Sequence, residues 1–295
     1  YDILRLQSAD SNGDFDGADV VDYDALLFDV LFPEHLPKIG SMLNMVAKQT
    51  SPCFMVGSSG IEYALTQFWE TTKGSNRTSA VQPSKTTFGP VEQLVVITGS
   101  CSPVNDRQIA WAEQNAFETL ALNPARLIDE QTSRSEIELM IQLALERLNR
   151  GVNLILHTSR GPNDPRIFLA IESMRAMGLS DVEIRLKSGK LLGPKLGQIL
   201  NGILSKRWFS RVGIAGGDTS GHIARELAIT ALEAIAPVAP GSPLCRAHSM
   251  NSLDGIEFIF KGGQVGKDDV WGTILNGTYG RQAGSASSLL EAHPR

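Results

Sequence analysis

The chain has 295 residues, 42% of them apolar and 20% charged, which is the balance of a folded protein with room for two domains and a sizeable core, not of a disordered one. Its 27 basic against 32 acidic residues give a net charge of −5 with no dense basic block, which argues against nucleic acid as a partner. Three scattered cysteines (Cys53, Cys101, Cys245) without a CxxC pair read as reduced thiols of a cytoplasmic protein, and no apolar run approaches the roughly 18 residues of a membrane span.

The opening "YDILRLQSAD" has neither the basic nor the apolar region of a signal peptide, and it lacks an initiator Met, so a fragment or a processed form is expected. "ADVVDYDALLFDV" (18–30) reads as a strand and "PEHLPKIGSMLNMVAKQ" (33–49) as a helix. "CFMVGSSGIEYALTQFW" (53–69) reads as a strand, a glycine turn and a second helix, with Ser58 and Ser59 as candidate caps. Residues 71–90 hold polar residues, Gly and Pro with almost nothing to bury, as a linker or loop would.

Past that segment the alternation resumes. "QLVVITGS" is a strand, and "NDRQIAWAEQNAFETLA" (105–121) a helix with Ile109, Ala112, Ala116, Phe117 and Leu120 on one face. "RSEIELMIQLALERLNRG" is a helix closed by Gly151, "VNLILHTS" a strand, and "GPKLGQILNGILSKR" (193–207) a helix despite its internal glycines. In "RVGIAGGDTSGHIARELAI" an apolar strand meets a glycine-rich turn, and Ile223, Leu227, Ala231 and Ile235 then set a helical period to 236. "GIEFIFKGGQVG" ends a strand in another glycine turn, and "KDDVWGTILNG" is a short helix. Strands alternating with helices imply an α/β fold, a largely parallel sheet flanked by helices.

Glycine-bearing turns follow strands at 57–60, 99–103, 216–221 and 261–266. In open α/β sheets ligands bind beyond the carboxyl ends of the strands, where such turns gather. The turn at 216–221 also opens a helix, whose free N–H groups and positive dipole end favour an anion. Familiar signatures are missing. "SGKLL" has Leu191 where a P-loop needs a hydroxyl, no GxGxxG opens a βαβ unit, there is no GxSxG elbow, and five scattered histidines form no HExxH. The residues alone point to an α/β protein that binds a phosphorylated ligand through backbone amides.

"VGSSGIEYAL", "ITGSCSPVNDRQI", "GIAGGDTSGHIARELAI", "PGSPLCRA" and "FKGGQVGKDD" stand in the order seen in the four-carbon acid-sugar kinase family, which this chain resembles over roughly residues 20 to 280. The resemblance implies an N-terminal acid-sugar domain, a C-terminal nucleotide domain, and transfer of the γ-phosphoryl of ATP to the terminal hydroxyl of threonate, erythronate or an oxo-tetronate. By motif, Ser100 and Ser102 would contact the nucleotide. Gly216, Gly217, Asp218 and Thr219 would cradle phosphates, with Asp218 reaching them through Mg²⁺. Gly263 would pack against the nucleotide and Lys261 would partner a phosphate. Without the family, Asp218 reads as a helix cap, Lys261 as a solvated charge and Cys101 as a small apolar filler.

The family's aspartate-rich "DDxTGA"-like opening turn is absent. Residues 1–70 are therefore expected to be the end of an acid-sugar domain, 71–90 a linker, 91–281 the nucleotide-binding domain and 282–295 a flexible tail. No catalytic base is assigned, and dimerisation is left open. The alternative to a kinase is a non-enzymatic nucleotide- or phosphate-binding remnant.

Overall fold

The protein is described by a computed structural model over residues 28–49, 54, 55, 57, 59–72 and 87–278. The strands expected at 18–30 and 53–56, most of the 71–90 segment and the tail at 282–295 fall wholly or largely outside these residues. The chain divides into two compact units, residues 1–82 and 83–295.

In the first unit, helix α1 (His35–Gln49) lies against helix α2 (Gly60–Thr72). Leu36, Ile39 and Ala64 form their buried seam. Gly40 makes the close approach, because a Cβ there would fall 2.0 Å from the carbonyl oxygen of Ala64.

The second unit is built on β1 (Val95–Thr98), α3 (Pro103–Glu113), β2 (Phe117–Ala121), α4 (Pro124–Ile128), α5 (Ser133–Leu148), β3 (Asn153–His157), α6 (Pro165–Ala176), α7 (Asp181–Leu204), β4 (Arg211–Ala215), α8 (Gly217–Glu226), β5 (Ile229–Ala239), β6 (Ser242–Ser249), β7 (Glu257–Lys261) and α9 (Val270–Asn276). The sheet order is β2-β3-β1-β4-β7-β6-β5. The first five strands in that order are parallel, and β6 and β5 continue the sheet antiparallel. The central strands β1, β3 and β4 are buried along their whole length, as strands covered on both faces must be. Val95 and Ile97 point to a core shared with Met140, Leu196, Leu200 and Ile223. Val96 points to the opposite one, with Ile109, Ile259 and Trp271.

Two expected helices are cut short. The segment 105–121 is α3 followed by β2, and Ala116, at φ 64°, turns the chain between them. Leu120 pairs with Leu156 in the sheet, so its helical spacing from Ile109 was coincidental. The segment 217–236 is likewise α8 followed by β5, with Ala228 at φ 53° as the break. Register shifts after Ile229 and Ala234 interrupt the two-residue alternation of β5 and leave its apolar residues at near-helical spacing. Helix α7 in turn starts earlier than expected, at a capping box of Ser180 and Glu183. Lys190 of "SGKLL" sits inside it.

The glycines of α7 have a purpose. A Cβ on Gly189, Gly193 or Gly197 would fall 2.7, 2.6 or 2.5 Å from the Cβ of Asp218, His222 or Glu226. Spaced four apart, they form one groove along α7 into which α8 sinks. The direction of α8, and so of its N-terminus, is set by that groove.

Candidate functional site

The chain leaves β1 towards β2 and β3 on one side and leaves β4 towards β7 on the other. The crevice beyond the ends of β1 and β4 is therefore the topological switch point of the sheet. Three glycine turns meet there. Gly99 N–H donates to Ala215 O at 3.0 Å, and Gly216 N–H donates to Lys261 O at 2.9 Å. A Cβ on Gly99 would lie 2.8 Å from Thr219 Oγ1, and one on Gly263 would lie 2.1 Å from Ser100 Oγ. Ser100, Ser102, Gly216, Gly217, Asp218, Thr219, Lys261 and Gly263 are thus brought to one edge. The 57–60 turn belongs to the other unit.

Gly216 caps α8 with φ 127°, a conformation that suits glycine, and it offers no side chain to the helix end. The N–H groups of Gly217, Asp218 and Thr219 have no partner among the described residues, while Ser220 N–H returns to Gly216 O. Asp218 is the second residue of the helix and not its cap. Its exposed carboxylate has no hydrogen bond among the described residues. Thr219 Oγ1 is buried and also without a partner, beside Gly99 and Gly216. A row of free amides, an orphan hydroxyl and an acid at a helix N-terminus suit a phosphate chain with its cation.

The other two turns are tied to each other. Ser102 caps α3 by accepting from Asn105 N–H at 3.0 Å, and its hydroxyl donates to Gly263 O at 2.5 Å. Ser100 Oγ accepts from Ser102 N–H at 3.3 Å, and Ser100 O accepts from both Asn105 Nδ2 and Ser159 Oγ at 3.1 Å. Cys101, between the two serines, is exposed and so is no buried filler.

Lys261 is not a solvated charge, and its ammonium is taken up by carbonyls of the turn that follows β7. It is 1% exposed, its ammonium donates to Gly262 O and Val265 O, and it lies 5.7 Å from the Trp271 ring centroid. Burial lowers its pKa to about 8.

Three contributors escaped the sequence reading. Gln108 of α3 donates to the carbonyls of the 262–267 turn, a role no local pattern announces. Beyond β3, Ser159 supports the β1 turn, and Arg160 reaches from the same loop to Asp106 and Glu113 of α3. His157, at the end of β3, is buried. Desolvation, with the positive charges of Arg166 and Arg160, lowers its pKa to about 4, so the ring is neutral.

Residues 95–271 match the family model of the nucleotide-binding C-terminal domain. The chain is 33% identical over 279 residues to a 3-oxo-isoapionate kinase of Paraburkholderia graminis, covering 94% of this chain and 57% of that one. It is 25% identical over 232 residues to a 3-oxo-tetronate kinase of Salmonella typhimurium, covering 78% and 49%, and 28% identical over 223 residues to one of Methylobacterium radiotolerans, covering 76% and 48%. The chain thus spans about half the length of the curated relatives it matches. Among solved structures, a protein from Salmonella typhimurium LT2 shares the fold at a TM-score of 0.54 and 21% identity, over 84% of this chain and 52% of that one.

Proposed function

This chain belongs to the four-carbon acid-sugar kinase family through its nucleotide-binding C-terminal domain, and from that premise we propose that it binds ATP at the β1–β4 switch point as the phosphoryl donor for an acid sugar. The observation that carries the reading is the free N-terminus of α8, set by Gly216 between the turns after β1 and β7. The amides of Gly217, Asp218 and Thr219 take phosphate oxygens there, and the Thr219 hydroxyl gains the partner it lacks within the chain.

Asp218 is the residue suited to Mg²⁺. No group of three or more His, Cys, Asp or Glu side chains gathers into a metal site among the described residues, and one carboxylate plus substrate phosphates is a usual set for this ion. When bound, Mg²⁺ neutralises phosphate charge. The chain's own contribution is to hold the phosphates in line and exclude other geometries. The acceptor is an oxo-acid sugar of the kind named in the relatives, phosphorylated on an alcohol.

Thermal-shift titration of the chain with ATP and Mg²⁺ tests the nucleotide reading, since a ligand of the native state must raise the melting temperature with concentration. A folded sample that saturating ATP leaves unmoved would refute it. ADP release on adding 3-oxo-tetronate, measured on a chain that carries a complete acid-sugar domain, separates a kinase from a binding remnant.

A further inference from the structure

Between β7 and α9 the carbonyls of the glycine-rich turn are gathered inward by side chains. Lys261 Nζ lies 2.9 Å from Gly262 O and 3.1 Å from Val265 O. Gln108 Nε2 lies 3.0 Å from Val265 O and 3.1 Å from both Gly266 O and Lys267 O. Ser102 takes Gly263 O. In a planar trans peptide the N–H that follows each carbonyl points the opposite way. The N–H groups of Gly263, Gln264, Gly266, Lys267 and Asp268 are therefore turned away from these donors, and none has a partner among the described residues. Peptide dipoles aligned in that sense present a positive face.

Gln108 is fully buried, and its Oε1 has no partner. Reversing the amide would set that oxygen against three carbonyl oxygens, so chemistry fixes the donor orientation. A glutamine that leaves its own acceptor unsatisfied is there for its N–H groups.

We propose that Gln108 and Lys261 are positioning residues for the nucleotide: they hold the carbonyls of the 262–267 turn inward so that its N–H groups face the phosphate chain. The proposal rests on the nucleotide reading of the same crevice. Neither residue touches the ligand. Both act through the backbone that Gly263 and Gly266 allow to lie close. Being fully buried, Lys261 also places its ammonium directly beneath the turn.

The full chain is titrated with Mg²⁺–ADP and with adenosine, before and after Gln108→Glu and Lys261→Met. ADP is expected to bind about tenfold more weakly to each variant, the loss of a hydrogen bond to a charged group, with adenosine unchanged. Equal losses for both ligands, or ADP binding at parental strength, overturn the proposal. If the parent chain binds neither ligand, the nucleotide reading itself fails and takes this inference with it. Glycine-selective isotope labelling of the parent supplies a readout independent of how the variants fold. The Gly263 and Gly266 amide resonances should move with Mg²⁺–ADP and not with adenosine. Saturation by ADP with both resonances unmoved would show that the turn does not face the phosphates.

Discussion

Ser102 and Gly263 stand 161 residues apart in the sequence, and the serine hydroxyl donates to the glycine carbonyl at 2.5 Å. The same oxygen accepts from Asn105 N–H to cap α3. Ser102→Ala removes both bonds at once. A lost N-cap costs about 1 kcal/mol, and the untied Gly263 carbonyl adds to that. Chemical denaturation should show the loss of stability, and calorimetry should show weaker Mg²⁺–ADP binding.

Gly216 and Gly217 are adjacent but not equivalent. Gly216 has φ 127°, and a Cβ on it would lie 2.5 Å from Thr219 Oγ1, whereas a Cβ on Gly217 meets nothing within 4 Å. Gly216→Ala is expected to destabilise the fold by about 1–3 kcal/mol. Gly217→Ala should leave the melting temperature of the free protein nearly unchanged and weaken ATP, because the open space beside it is the phosphate site proposed above. Unaltered ATP affinity in Gly217→Ala would place the phosphates elsewhere.

The glycine groove of α7 supplies a test at a distance from the ligand. In Gly193→Ala the new methyl would fall 2.6 Å from His222 Cβ, both on regular helix, so α8 must shift. Overpacking of this kind costs about 1–3 kcal/mol. Because α8 carries Gly217, Asp218 and Thr219 at its N-terminus, nucleotide affinity should fall together with stability, measured by denaturation and titration on the same sample.

Acid should destabilise the fold through His157. Its Nδ1 lies 3.1 Å from Arg166 Nη2, and burial with the nearby Arg charges lowers its pKa from 6.5 to about 4. The unfolded chain binds the proton first as pH falls. The contribution is therefore whole above about pH 6.5 and is lost progressively down to about pH 4, by up to roughly 3 kcal/mol. Asp164 and Glu113, held below their usual range, act with the same sign at lower pH. For Asp164 the cause is the Arg166 hydrogen bond. For Glu113 desolvation, which raises its pKa, is the largest effect, and hydrogen bonds from Arg160 and Thr119 outweigh it. His157→Gln should flatten the stability profile between pH 6.5 and 4, read from denaturation midpoints, and leave the acid limb below it.

The sequence by itself determined the α/β class, the strands now seen as β1, β3, β4 and β7, and the glycine turns that follow three of them. Buried strands are short runs with an apolar centre, and turns that need close approach must use glycine, so both are written locally. The order of motifs also carried the family, which the match over residues 95–271 bears out. Only the tertiary structure decided that β2 and β5 are strands, because sheet pairing at the two edges overrode a helical spacing of Phe117, Leu120, Leu232 and Ile235. It alone showed that Lys261 and Gln108 serve backbone carbonyls: the Gln108 bonds join distant elements that no spacing in the sequence connects, and the Lys261 bonds, though local, depend on the burial of its ammonium. It alone set the aim of α8, which depends on three glycines of α7 meeting Asp218, His222 and Glu226 across a packed interface.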